Sequence, residues 1–116
     1  MATSLTKIIE DMVDEYSNHD PLWVQFVMDH RKAIISRAGE QSIDLITANQ
    51  YDRRLYEYLK KFNIPYGVLW IVLEINQMDN EMDFTNMSSI LLPSMDHLQK
   101  LRAVFKNLYD FDSALL

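Results

Sequence analysis

The part of the chain that most constrains the fold is NIPYGVLWIVLEINQM, residues 63–78, which continues longer than any other stretch with so little charge. Between Tyr66 and Ile75 the only ionisable side chains are Tyr66 itself and Glu74. A segment that is apolar on nearly every side is stable only where neighbours cover several of its faces. Its Val, Ile and Trp content would also suit a strand, but its length and Pro65 favour a helix. The sequence therefore predicts a buried central helix.

The composition is typical of one globular domain. The 116 residues are 48% hydrophobic and 24% charged, which excludes disorder throughout. Asp and Glu outnumber Lys and Arg by 17 to 11, and this acidic balance disfavours binding to nucleic acid. The absence of Cys excludes disulfides and thiolate metal sites. Polar and acidic residues interrupt the apolar spacing of the N-terminus, so we expect neither a signal peptide nor membrane insertion there.

Helical spacing predicts two helices before residue 40. The first covers residues 4–16, where apolar side chains recur every three or four positions. The second runs from Pro21 to about Ala38, with Asp20 as its N-cap and Gly39 as its C-terminal cap. Trp23 and Phe26 are expected to anchor its buried face.

The rest of the chain predicts two short strands and two more helices. A strand at residues 42–47 is expected to pair, through residues 43–46, with a second strand at residues 88–94. A third helix, capped by Thr47 or Asn49, is expected to continue to Phe62, and a last helix over residues 96–109 to begin at a Ser94 cap. The low count of two Gly and three Pro also favours helices. The predicted fold class is α+β and mostly helical.

No residue pattern indicates catalysis or metal binding. His19, His30 and His97 are far apart and lack partners at metal-ligand spacing. Asp79, Glu81 and Asp83 alternate as in calcium loops, but the glycine and the later glutamate of such loops are missing, so a solvated loop is the simpler interpretation. There is no nucleophile elbow or phosphate loop. We therefore expect a protein without enzyme activity, cofactor or metal.

The C-terminal tail is the best candidate for a partner contact. Tyr109, Phe111, Leu115 and Leu116 lie at the end of the chain, with acidic residues between them. A groove on another protein could bind such a pattern. The alternative is a terminus that is frayed or packed back on its own domain.

Four segments carry a resemblance to a known family. They are LYEYL at residues 55–59, LWIVLEIN at 69–76, Asp83-Phe84 in the acidic loop, and SSILLPS at 88–94. Together they resemble the LysM-related tail and baseplate proteins of contractile-tailed bacteriophages, in which an apolar helix ending in Asn is followed by a strand ending in Leu-Pro or Ile-Pro. The resemblance covers roughly residues 43–94.

The resemblance implies a small β-α-α-β core at residues 41–95, flanked by helices at 1–40 and 96–116 within a single domain, 1–116. It implies a structural baseplate wedge protein that is located in the virion, having been made and assembled in the host cytoplasm. Its partners would be other tail or baseplate proteins, together with further copies of itself.

The glycines that usually precede the first helix and the last strand of such modules are absent. Thr47-Ala48 and Met87-Ser88 stand in their places, which argues against a sugar groove. A peptidoglycan- or chitin-binding module remains an alternative. Another is a small phage regulator that docks its acidic, hydrophobic C-terminus on a partner protein.

Overall fold

A computed structural model of the chain describes the backbone of residues 15–115 and the side chains of residues 15–109. The helix predicted for residues 4–16 therefore lies outside the described residues except at Glu15 and Tyr16. The described elements are α1 (Pro21–Asp29), α2 (Arg31–Arg37), β1 (Gly39–Ser42), α3 (Leu45–Gln50), α4 (Leu55–Leu59), α5 (Leu69–Ile75), β2 (Ser89–Leu92) and α6 (Met95–Leu115). Short 3-10 turns cover Lys60–Phe62, Tyr66–Val68 and Glu81–Asp83. The mostly helical α+β class is confirmed.

The central apolar segment is helical and buried, as predicted. It begins as the 3-10 turn Tyr66–Val68 and continues directly into α5. Pro65 precedes the turn in an extended conformation. Val68, Ile71 and Val72 are fully buried, so the segment has neighbours on more than one face. This burial contributes to the hydrophobic stabilisation of the domain.

The helix predicted for residues 21–38 begins as expected but is divided. The Asp20 carboxylate accepts a hydrogen bond of 2.9 Å from the Leu22 backbone N–H, and Pro21 is the first residue of α1. The helical path is interrupted at His30, which has φ −105° and ψ 15°. The prediction that Gly39 caps the helix was wrong. Ala38 is already extended, with φ −71° and ψ 148°, and Gly39 begins β1.

The two strands pair antiparallel, with Gly39 opposite Leu92 and Ser42 opposite Ser89. The predicted position of β2 is confirmed, whereas the first strand lies before residue 43 instead of at residues 43–46. The reason is Asp44, whose carboxylate accepts a hydrogen bond of 2.7 Å from the Thr47 N–H and so caps α3. Because α3 begins at Leu45, residues 45 and 46 are helical and do not belong to a strand.

The helix predicted to continue to Phe62 is also divided, into α3 and α4. Arg53 adopts a left-handed conformation with φ 59°, and its N–H donates to the Phe84 carbonyl at 2.7 Å. Leu55, Tyr58 and Leu59 of the predicted apolar side are nevertheless buried. The interruption at Arg53 therefore places α4 next to the acidic loop that ends at Phe84, and the apolar face of α4 stays buried.

The C-terminal helix α6 packs on α1. Its Phe105 ring lies 5.3 Å from Trp23 and 5.5 Å from Phe26, measured between ring centroids, and Leu98 is fully buried. The predicted cap is confirmed, because the His97 N–H donates to Ser94 Oγ at 3.2 Å. The helix extends beyond residue 109 to Leu115. Within the described ranges, no helix has both the length and the apolar character needed to cross a bilayer.

Candidate functional site

Asn76 forms a side-chain bridge between α5 and β2. Its Nδ2 donates to the Leu91 carbonyl and to the Val72 carbonyl, each at 2.8 Å. Its Oδ1 accepts from the Leu91 N–H, also at 2.8 Å. The amide therefore pairs with Leu91 as the backbone of a neighbouring strand would. This contact holds β2 on the end of the central helix.

A cleft of about 350 Å³ lies between the residues before α1 and the start of the central helix. It is lined by Ser17, Asn18, His19, Tyr66, Gly67, Leu69, Trp70 and Leu73. Tyr66 is 61% exposed, and its ring stands edge-on to Tyr56 at 4.9 Å. The Trp70 indole N–H is already used, because it donates to the Tyr16 carbonyl at 2.7 Å. The lining residues thus offer aromatic surface from Tyr66 and Trp70 and a polar rim that includes the His19 imidazole.

Two exposed apolar pairs mark further surfaces. Leu45 and Ile46, in the first turn of α3, are 74% and 79% exposed. Val104 and Leu108, one helical turn apart on α6, are 50% and 54% exposed. Adjacent exposed aliphatic side chains are typical of protein contact surfaces. The exposure of the first pair was not predicted, because Leu45 and Ile46 were expected to lie in a strand.

The four residues of the predicted tail contact are only partly described. Tyr109 is half-buried, and its ring lies 4.6 Å from Phe105, so its own domain covers part of it. Phe111 and Leu115 belong to the last turns of α6, but their side chains lie outside the described part of the chain, as does Leu116. The partner contact through these residues stays a prediction.

The acidic loop uses its carboxylates to fix its own shape. Glu81 Oε1 accepts a hydrogen bond of 2.8 Å from the Tyr56 N–H and so satisfies a donor in the first turn of α4. Asp83 Oδ2 accepts from the Asp79 N–H at 2.7 Å. Across the described residues, no group of three or more His, Asp or Glu side chains is placed to hold a metal ion.

Among the residues whose side chains are described, three titratable groups have displaced pKa values. The pKa of Asp44 is lowered because its carboxylate accepts the Thr47 hydrogen bond. Burial raises the pKa of the Tyr58 hydroxyl. Burial also lowers the pKa of His97, with Arg37 contributing. The main cause of each shift is thus a local feature of the fold: a hydrogen bond for Asp44, and burial for Tyr58 and His97.

His97 is expected to make the folded protein less stable in mild acid. Its lowered pKa means that the unfolded chain takes up a proton at about pH 6.5 while the folded protein still resists it. The free energy of unfolding should therefore fall as the pH drops through about 6.5 and level off below the folded-state pKa. Arg37, His30 and Lys100 oppose protonation, and Asp96 favours it.

Urea unfolding at about pH 7.5 and about pH 5.5 tests this expectation. Replacement of His97 by Gln should reduce the loss of stability between the two pH values. An identical pH dependence in both proteins would show that His97 does not contribute.

Comparison with protein-family models, curated proteins and solved structures finds no match for this chain. The Asn76 bridge joins the LWIVLEIN and SSILLPS segments of the chain.

Proposed function

We propose that the chain is a non-enzymatic structural component of a phage tail baseplate, a wedge protein with a LysM-like core that acts by assembling with other tail proteins. The observation that carries the proposal is the pair of hydrogen bonds between Asn76 and Leu91. Asn76 ends the LWIVLEIN segment and Leu91 lies in SSILLPS, so the two motifs meet in space through the residue that defines the first of them.

The order of elements supports a LysM-like core. Helices lie between two short strands that pair antiparallel. LYEYL forms α4 and LWIVLEIN contains α5, so we assign these two helices to the β-α-α-β module. In this proposal α3 is an addition between β1 and the first module helix, and α6 flanks the core.

The surface chemistry supports assembly as the mode of action. The exposed pair Leu45 and Ile46 lies just after β1, next to where the missing glycines of a sugar-binding module would be. Aliphatic side chains in that place suit contact with another protein better than contact with a hydroxylated sugar. The pair on α6 provides a second apolar surface on a different element.

Co-expression with the products of the neighbouring reading frames tests the proposal. We expect the chain to elute with one or more of them as a stable complex at micromolar concentration. Replacing Leu45 and Ile46 by Asp should weaken that complex, while Met82→Ser, at an exposed apolar residue on the acidic loop, serves as the matched control. A chain that stays monomeric and associates with none of them contradicts the proposal.

Two further measurements separate the alternatives. Retention on purified cell wall would instead indicate the peptidoglycan-binding module, and we expect none. Deletion of residues 111–116 should weaken only one of several contacts in a baseplate protein. Complete loss of partner binding with the fold intact would favour the regulator that docks through its C-terminus.

A further inference from the structure

The hydrogen bonds of β2 determine where the backbone groups of β1 point. In an antiparallel pair, opposite residues alternate between those that exchange hydrogen bonds and those that do not. Leu91 gives both its N–H and its C=O to Asn76, so Leu91 and its partner Glu40 form a non-hydrogen-bonded pair. The Glu40 N–H and C=O therefore point away from β2. The Ile43 N–H, which donates to the Ser88 carbonyl at 2.8 Å, fits the same alternation.

No described strand pairs with the outward edge of β1. By the alternation, Ser42 directs its N–H and C=O outward as Glu40 does. Within residues 15–115 the Glu40 groups and the Ser42 N–H have no hydrogen-bond partner, and the Ser42 carbonyl accepts only from Gln41 Nε2, at 3.2 Å. Both residues are exposed. Such an edge is a template for one more strand.

Gly39 provides a second observation at the same edge. It has no positive φ, and a Cβ placed on it would meet nothing within 4 Å. Neither the backbone conformation nor the packing within the described chain therefore requires glycine here. Glycine in a strand can also allow another backbone to approach closely. This reason remains open for Gly39.

We propose that β1 pairs antiparallel with β1 of a second copy of this chain, about a two-fold axis at Gln41. Glu40 would then lie opposite Ser42 of the other copy, and each of these two pairs would exchange both backbone hydrogen bonds. No like charges would be directly opposite each other, since each Glu40 faces a Ser. The outward N–H and C=O groups of one β1 therefore match those of a second β1 related by a two-fold axis, as an isologous interface requires.

Two-fold pairing through β1 closes at a dimer, because each copy has one β1 and uses its outward edge once. The combined sheet would have the order β2-β1-β1-β2, with the Leu91 N–H and C=O on its outer edges already bonded to Asn76. This pairing follows from the backbone groups of β1 and from Gly39, and it does not depend on the proposed function. Because a contact through four-residue strands is small, the dimer is weak, with a Kd on the order of 10 μM to 1 mM.

Sedimentation equilibrium of the full chain tests the proposal at concentrations from about 10 μM to about 1 mM. The expected result is a reversible monomer–dimer equilibrium. Glu40→Pro removes an outward N–H but no N–H of the β1–β2 ladder, and Gly39 before it tolerates proline. This variant should raise the dimer Kd about tenfold or more, with the urea midpoint little changed. The matched control, Glu40→Gln, keeps the N–H and should dimerise at least as well.

Amide hydrogen exchange on the unmodified chain gives a second test that does not depend on a variant. The Glu40 and Ser42 amides should exchange more slowly as the concentration rises, while the Leu91 amide stays protected at every concentration. A chain that is monomeric at about 1 mM overturns the proposal. So does a dimer that Glu40→Pro leaves unchanged, or one that is lost only when Val104 and Leu108 are replaced by Asp.

Discussion

Replacement of Trp23 by alanine is expected to lower the free energy of unfolding by about 3–5 kcal/mol. The side chain is fully buried, and its ring packs against Phe26 at 5.9 Å and Phe105 at 5.3 Å. Removing it would leave a cavity where α1 meets α6, and the two helices cannot close it without losing other contacts. The Arg102 guanidinium, 4.9 Å from the indole, would lose its stacking partner as well.

Urea unfolding followed by circular dichroism measures this effect independently of tryptophan fluorescence. Leu22→Ala is the matched control, because Leu22 precedes Trp23 in the same helix but is 52% exposed. We expect the control to cost less than about 1 kcal/mol. A similar small loss for Trp23→Ala would mean that the contact between α1 and α6 contributes little to stability.

Replacement of Asn76 by leucine is the second large effect, with an expected loss of about 2–4 kcal/mol. The change removes every hydrogen bond that the side chain makes and leaves the Leu91 N–H and C=O without partners in a half-buried place. Unpaired backbone groups of this kind carry the full cost of desolvation. Because β2 is held on α5 by this bridge, we also expect faster amide exchange along β2.

Asn76→Asp separates the two halves of the bridge. The carboxylate still accepts from the Leu91 N–H but has no donor for the Leu91 carbonyl. Its second oxygen would face the Val72 and Leu91 carbonyls, which are acceptors too, so the cost of Asn76→Asp should be at least as large as that of Asn76→Leu. Equal stability of Asn76→Leu and the wild type in urea would show that the Asn76 bridge does not contribute to the stability of the fold.

Local patterns predicted the helix starts that depend on one or two neighbouring residues. Asp20-Pro21 and Ser94 both act as the sequence indicated, since an N-cap needs only a short side chain and the next turn of backbone. The central helix was also predictable, because an apolar segment of that length can be stable only inside the domain.

The positions that failed depend on contacts distant in sequence. Leu45 and Ile46 have the apolar character of a strand, yet the Asp44 cap places them on a helix with their side chains in solvent. The left-handed turn at Arg53 is supported by the Phe84 carbonyl, and no local property of arginine indicates it. The sequence did contain a signal for the helix at Leu45 and Ile46, because Asp44 is a favoured N-cap residue and Thr47 follows it three positions later.

The interaction surfaces were less predictable than the fold. The sequence marked Asn76 as the end of an apolar helix, but its hydrogen bonds to Leu91 appear only when the strand returns to that helix. The unpaired groups of Glu40 follow from the same contact, so the sequence alone could not indicate them. Tyr109 was predicted to contact a partner; Phe105 of its own domain covers part of its ring, and the partner contact stays a prediction.

The separation of the two strands along the chain has a consequence for how the molecule folds. Residues 43–88 lie between β1 and β2, so the two strands cannot begin pairing at a tight turn as the strands of a hairpin do. The entropy of closing such a long loop must be offset by contacts that the intervening helices have already made. We expect the helices to collapse around the apolar segment first, and the strands to meet only once that nucleus has brought their ends together.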